Sequence, residues 1–167
     1  LSCTSTDADG DADSAPLSRT MNGHTDGPPT VIIGDEDLAV TPADNSVIED
    51  SAATVTGDIT VAASAGIATV TIAGQDITGA SVIPVVIAGT AGTLTVTGYN
   101  AGAITYSYTE DGAPDDHSAG DNAVVDSFSV VVTDITGASD TEALDIQIID
   151  TAPVAADDAA AITEDNT

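Results

Sequence analysis

The chain has 167 residues, and its 28 acidic side chains stand against a single basic one, Arg19, for a formal net charge of -27. With no lysine and one arginine there is no basic patch for a nucleic-acid backbone or an anionic membrane, and no lysine nucleophile. Yet 42% of the residues are apolar, enough to bury a core, so the composition is that of a folded acidic domain rather than a disordered tail. Of the acids 23 are Asp and 5 are Glu, a bias that fits turns and oxygen-ligand loops better than helices and makes divalent cations the natural counter-species. No apolar run is long enough to span a bilayer. Cys3 has no second cysteine to pair with, so the fold has no internal disulfide.

In chain order the first feature is Asp7-x-Asp9-Gly10-Asp11-x-Asp13, which sets carboxylates at alternate positions around a glycine. A tight loop of this kind can wrap a hard cation that takes six to eight oxygens. It is not an EF-hand, because the twelfth position is Ser18 rather than a bidentate Glu. A solvated acidic turn at the end of a strand is the alternative. His24 falls in a polar turn, and Asp26-Gly27-Pro28-Pro29 reads as a linker. Around it and the expected domain start lie Asp26, Asp35, Glu36, Asp37, Glu49 and Asp50.

From residue 55 onward period-two alternation dominates. Val55, Ile59 and Val61 share one face, as do Ala68, Val70 and Ile72, then Leu94 and Val96, then Ile104, Tyr106 and Tyr108. Thr and Val favour a pleated surface, and Ala73-Gly74, Gly89–Gly92 and Tyr99–Gly102 supply turns between the runs. The stretch from Glu110 to Asn122, with Asp111, Asp115, Asp116 and His117, reads as a long solvated crossover with His117 exposed or capping a turn; a His-carboxylate metal site is the sharper alternative. Phe128, Val130 and Val132 form a further strand face, and Leu144, Ile146 and Ile148 the last. Seven or so short strands with regular turn signals predict an all-β, Ig-like or cadherin-like antiparallel β-sandwich.

An internal repeat orders these pieces. Thr6–Leu17 aligns without a gap on Thr133–Leu144, Asp26-Gly27-Pro28-Pro29 corresponds to Asp150-Thr151-Ala152-Pro153, and Val47-Ile48-Glu49-Asp50 resembles Ile162-Thr163-Glu164-Asp165. The expected organisation is therefore the tail of one unit in residues 1–26, a complete unit in 27–152, and the start of a third in 153–167. A second junctional group of acids comprises Asp150, Asp157, Asp158, Glu164 and Asp165, with Asp134 and Asp140 in the second copy of the acidic loop. There Thr136 and Ala138 replace Asp9 and Asp11, which weakens that copy as a calcium loop. Like charges gathered at a junction repel one another unless a cation intervenes, so junctional Ca²⁺ is expected and metal-free linkers should flex.

The Thr-Asp-x-Asp-Gly-Asp segment at 6–11, Tyr106-Ser107-Tyr108-Thr109, Asp126–Val130 leading to Val132-Thr133-Asp134, and Asp150–Asp158 together resemble the tandem cadherin-like or VCBS-type repeats of giant type I-secreted repeats-in-toxin (RTX) bacterial adhesins. The resemblance implies an extracellular extender at the surface of a Gram-negative cell, supporting adhesion and biofilm formation. It also implies a monomeric unit whose partners are calcium ions and the neighbouring repeats of its own polypeptide. The glycine-rich nonapeptide repeats of such proteins are absent from this sequence. A module of the same kind of adhesin that binds sugar, peptide or ice is the alternative function. No catalysis is expected, because no nucleophile elbow appears and the chain is only 2% aromatic, too few rings for sugar platforms beside paired carboxylates.

Overall fold

The computed structural model describes residues 2–6, 8–10, 12–16, 26–37, 41–78, 80, 84–120 and 124–151. Every regular element among them is a strand. A two-stranded hairpin, β1 (Ser2–Thr6) with β2 (Ala12–Pro16), comes first. The remaining strands are β3 (Thr30–Ile33), β4 (Asn45–Ile48), β5 (Thr54–Ala62), β6 (Ile67–Ile72), β7 (Gln75–Asp76), β8 (Val85–Ala88), β9 (Gly92–Asn100), β10 (Ala103–Glu110), β11 (Val125–Asp134) and β12 (Ser139–Ile149). They form two five-stranded sheets, ordered β3-β5-β10-β9-β8 and β4-β12-β11-β6-β7. The fold is a β-sandwich, as the alternation predicts, with more strands than the seven expected. One pairing departs from a purely antiparallel sandwich: β4 lies parallel to β12, Asn45 opposite Ile146 and Ile48 opposite Ile149.

The inward positions of each strand supply the core. Ile59, Val61, Leu94, Val96, Ile104, Tyr106 and Tyr108 from the first sheet meet Val70, Ile72, Phe128, Val130, Val132, Leu144, Ile146 and Ile148 from the second, all buried. Tyr108 and Phe128 touch edge to face across the layers, with ring centroids 6.2 Å apart. The two large tyrosines require glycine beside them: a Cβ on Gly57, which pairs with Tyr106, or on Gly92 would overlap a tyrosine ring. The intervening outward positions of β5, β9 and β10 carry mostly Thr and Ser. Two-residue turns close β6–β7 and β9–β10, and their first positions, Ala73 and Ala101, adopt left-handed φ of 48° and 50°.

The chain passes through the sandwich from one end to the other. Gly27 lies at the end bearing the β5–β6 turn, where its carbonyl accepts from the Ser64 hydroxyl, and the β11–β12 turn reaches the same end through Ile135 N–H to the Gly66 carbonyl. From there β12 runs eleven residues, about 35 Å of strand, to leave at the opposite end beside Glu49. The unit is entered at one end and left at the other.

The repeat seen in the sequence has a structural counterpart. In the first hairpin Thr6 lies opposite Ala12, Ser5 opposite Asp13 and Ser2 opposite Pro16; 127 residues later Thr133 lies opposite Ser139, Val132 opposite Asp140 and Ser129 opposite Ala143. Every Cα partner of β1–β2 maps onto the β11–β12 register at this constant offset.

Candidate functional site

A chain with one basic residue cannot neutralise its buried carboxylates by ion pairing with Lys or Arg, and the fold uses backbone N–H and hydroxyl donors instead. Asp126 is the fullest example. It is 2% exposed and accepts from Thr90 N–H at 2.6 Å, Ala91 N–H at 3.2 Å, Tyr108 O–H at 2.5 Å and the Thr90 hydroxyl. Burial, reinforced by this bond, raises the Tyr108 phenol well above its ordinary range. Glu110, also buried, takes Ser51 and Ala52 N–H on Oε2 at 3.0 and 2.6 Å and Gly112 N–H on Oε1 at 2.9 Å. It thereby holds a loop in which both Asp50 and Ala52 are left-handed, at φ 57° and 47°.

Glu49 organises the exit end. Its Oε1 accepts from Thr151 N–H and O–H, each at 3.2 Å, and its Oε2 from Asp115 N–H at 2.9 Å. These donors, Asp115 N–H foremost, pull its carboxyl down to about 2. The end of β4, the crossover at Asp115 and the departing chain at Thr151 are thus tied to one carboxylate. His117 belongs to the same knot: its side chain is 8% exposed and its Nε2 lies 3.4 Å from Glu49 Oε2, without a hydrogen bond. This corrects the expectation of an exposed or turn-capping histidine, because the crossover folds down onto the end of the sandwich through Glu49. Asp115 has its carboxyl raised, chiefly by burial and then by the charges of Asp111 and Glu49, and its Oδ2 is buried without a partner.

The expected ligands fall in several places. Asp9 is exposed in the β1–β2 turn and Asp13 stands on β2 opposite Ser5, whereas Asp7, Asp11, Asp157, Asp158, Glu164 and Asp165 lie outside the described residues. The acids grouped by sequence around the domain start are divided by the fold. Asp26 is at the entrance, while Asp35 and Asp37 sit on the β3–β4 crossover, where Asp37 Oδ2 accepts from Thr41 N–H and O–H. Glu49 and Asp50 are carried to the exit, because β4 runs parallel to β12 and delivers them to the end where Asp150 emerges. Asp134 shapes the β11–β12 turn, with Oδ1 accepting from Thr136 N–H and O–H and from Ala138 N–H at 2.7–2.9 Å. Asp140 Oδ2 takes Val31 N–H at 2.8 Å, joining β12 to β3.

As they stand, no three His, Cys, Asp or Glu side chains among the described residues are arranged to hold a metal ion. Among the described residues, exposed acids at the exit include Asp50, Asp111 and Asp150, the last of which also bonds to Glu49. Hard oxygen donors of this kind fit Ca²⁺. Asp126 and Glu110 are missing from the ligands anticipated by sequence, although a signal for them exists: each continues an inward-facing alternation, Ile104-Tyr106-Tyr108-Glu110 and Asp126-Phe128-Val130-Val132. An acid in phase with a core stripe has to be buried and bonded.

No protein-family model matches the chain, and no curated protein matches it significantly.

Proposed function

We propose that the chain is a piece of a tandem array, a calcium-stiffened extender repeat of a giant type I-secreted RTX adhesin on the surface of a Gram-negative cell, serving adhesion and biofilm formation. The observation that carries this reading is the constant offset between the β1–β2 and β11–β12 registers, since one hairpin built twice is what successive units of an array contain. On this reading residues 27–152 are one unit, 1–26 end the unit before and 153–167 begin the unit after. Entrance and exit at opposite ends support it too, because units joined in this way extend end to end.

Calcium acts at the junction on this reading. Asp50, Asp111 and Asp150 at the exit, with the acids farther along the chain at Asp157 and Asp158, would hold it, and its charge relieves their mutual repulsion. Glu49 and Glu110 position the loops that present those acids. The unit is monomeric, its partners are the adjacent repeats, and it performs no catalysis.

The ligand-binding alternative has its best support in a hollow of about 310 Å³ lined by Thr56, Asp58, Thr97, Thr105 and Glu36. There, however, the Thr97 and Thr105 hydroxyls already bond to each other at 2.9 Å. A calcium titration in high NaCl, run alongside a glycan panel, separates the readings. Stiffening specific to Ca²⁺ supports the extender, glycan binding the alternative, and indifference to both leaves a merely salt-adapted surface.

A further inference from the structure

We propose that Glu49, Asp115 and His117 form a site for a transition-metal ion of the Zn²⁺ class, distinct from any calcium at the junction. The His117 side chain is buried with neither ring nitrogen hydrogen-bonded and its Nε2 faces the Glu49 carboxylate, while Asp115, two residues before it, has a buried carboxylate oxygen without a partner. An imidazole removed from water is costly unless something takes its lone pair. Nε2 and Oε2 stand 3.4 Å apart, within ion-pair reach for a protonated imidazole but without a hydrogen bond. That separation matches two ligands bound tetrahedrally to one ion: with metal–ligand distances of about 2.1 Å, the edge of the tetrahedron is about 3.4 Å.

Glu49 accepts Thr151 N–H and O–H on Oε1 and Asp115 N–H on Oε2, and the Asp150 side chain bonds to the same carboxyl. Asp115 Oδ2 would be the third donor, and its carboxylate would have to turn toward His117 and Glu49, since the three side chains as they stand are not arranged around an ion. Water completes the shell. One nitrogen with two oxygens suits a borderline metal, whereas Ca²⁺ takes oxygens alone. Two of the three ligands come from the crossover and the third from the end of β4, so the ion pins that loop against the exit. The site stands on this geometry and does not depend on the extender reading.

The test uses the full chain, stripped with chelator and held in saturating Ca²⁺, to which Zn²⁺ is added in a calorimeter, with Co²⁺ as a spectroscopic stand-in. One equivalent should bind, and Co²⁺ should show the intense visible bands of a tetrahedral site. His117→Gln, which nearly preserves side-chain size, should weaken Zn²⁺ by more than about a hundredfold and abolish the Co²⁺ bands; Asp115→Asn should weaken Zn²⁺ by about tenfold or more. A Cys3→Ser/His24→Gln double variant should bind as the parent does. Absence of stoichiometric Zn²⁺ binding in calcium, or binding unchanged in a folded His117→Gln protein, overturns the proposal. These results leave the calcium response untouched, so this site and the junctional calcium fail separately.

Discussion

Asp126→Ala is the sharpest perturbation of the carboxylate scheme. The substitution strands four donors. Thr90 is exposed, so its N–H and hydroxyl regain water, but Ala91 at 1% exposure and Tyr108 at 0% do not. A buried donor left unpaired costs about 1–3 kcal/mol, so the two orphans together cost about 2–6 kcal/mol, a large part of the roughly 5–15 kcal/mol that holds a typical domain folded. Tyr108→Phe should cost less, about 1.5–3 kcal/mol, because it removes one bond to a charged acceptor while Asp126 keeps its Thr90 and Ala91 donors. The double variant should cost less than the sum of the singles, since a phenylalanine in place of Tyr108 leaves no hydroxyl to strand. Urea unfolding at neutral pH, followed by far-UV circular dichroism because the chain has no Trp, measures all three. An Asp126→Ala protein within about 0.5 kcal/mol of the parent would refute the claim that backbone and hydroxyl donors stand in for basic residues.

Three further outcomes are expected. The turns at Ala73-Gly74 and Ala101-Gly102 hold alanine at left-handed φ, so Ala73→Asn and Ala101→Asn, each creating the Asn-Gly pair such turns prefer, should each stabilise by about 0.5–1 kcal/mol in thermal melts; a lower melting temperature for both counts against the turn geometry. Glu49 has a folded carboxyl near 2 against 4.5 for the free group, so its contribution is complete above pH 4.5 and is lost as pH falls toward 2. Burial raises Asp115 instead, so that group gains stability on protonation and opposes the trend. Glu49→Gln should therefore flatten the stability profile between pH 4.5 and 2, and an unchanged slope in acid titration would show that Glu49 is not the linked group. Finally, Ca²⁺ should raise the melting temperature more than equimolar Mg²⁺ in excess NaCl, by about 2.7 kcal/mol of stability at one hundred times Kd, and the gain should shrink in Asp150→Asn, Asp7→Asn or Asp9→Asn. Equal responses to the two ions in every variant would reduce the effect to screening.

The longer strands were legible because one residue in two faces the core: Ile104, Tyr106 and Tyr108, or Leu144, Ile146 and Ile148, announce a half-buried strand by parity alone. Strands β3, β4 and β8 were not. Each is four residues long, and Thr-Val-Ile-Ile or Val-Val-Ile-Ala puts an apolar side chain outward, Ile32 and Val86 both at 63% exposure, so the alternation is hidden. The parallel partner of β4 had no local signature, since pairing across about a hundred residues is fixed by the closing of the sandwich rather than by any turn. The site divides in the same way. That acids crowd the chain was evident from composition; that Glu49 lies with Asp150 rather than Asp26 depends on the direction of β4. His117 sits in a polar stretch that reads as solvated, and only the fold of the crossover onto Glu49 buries it.

The central claim, that these units extend end to end under calcium control, is tested most directly by small-angle scattering on polypeptides of two, three and four tandem copies of residues 27–152. In Ca²⁺ the maximum dimension should grow by a constant increment per copy, as for a stiff rod. After chelation in the same high NaCl the increment should shrink with copy number, as for a jointed chain, and restored Ca²⁺ but not Mg²⁺ should recover the rod. Profiles identical with and without Ca²⁺, or copies that fail to fold as separate units, would contradict it.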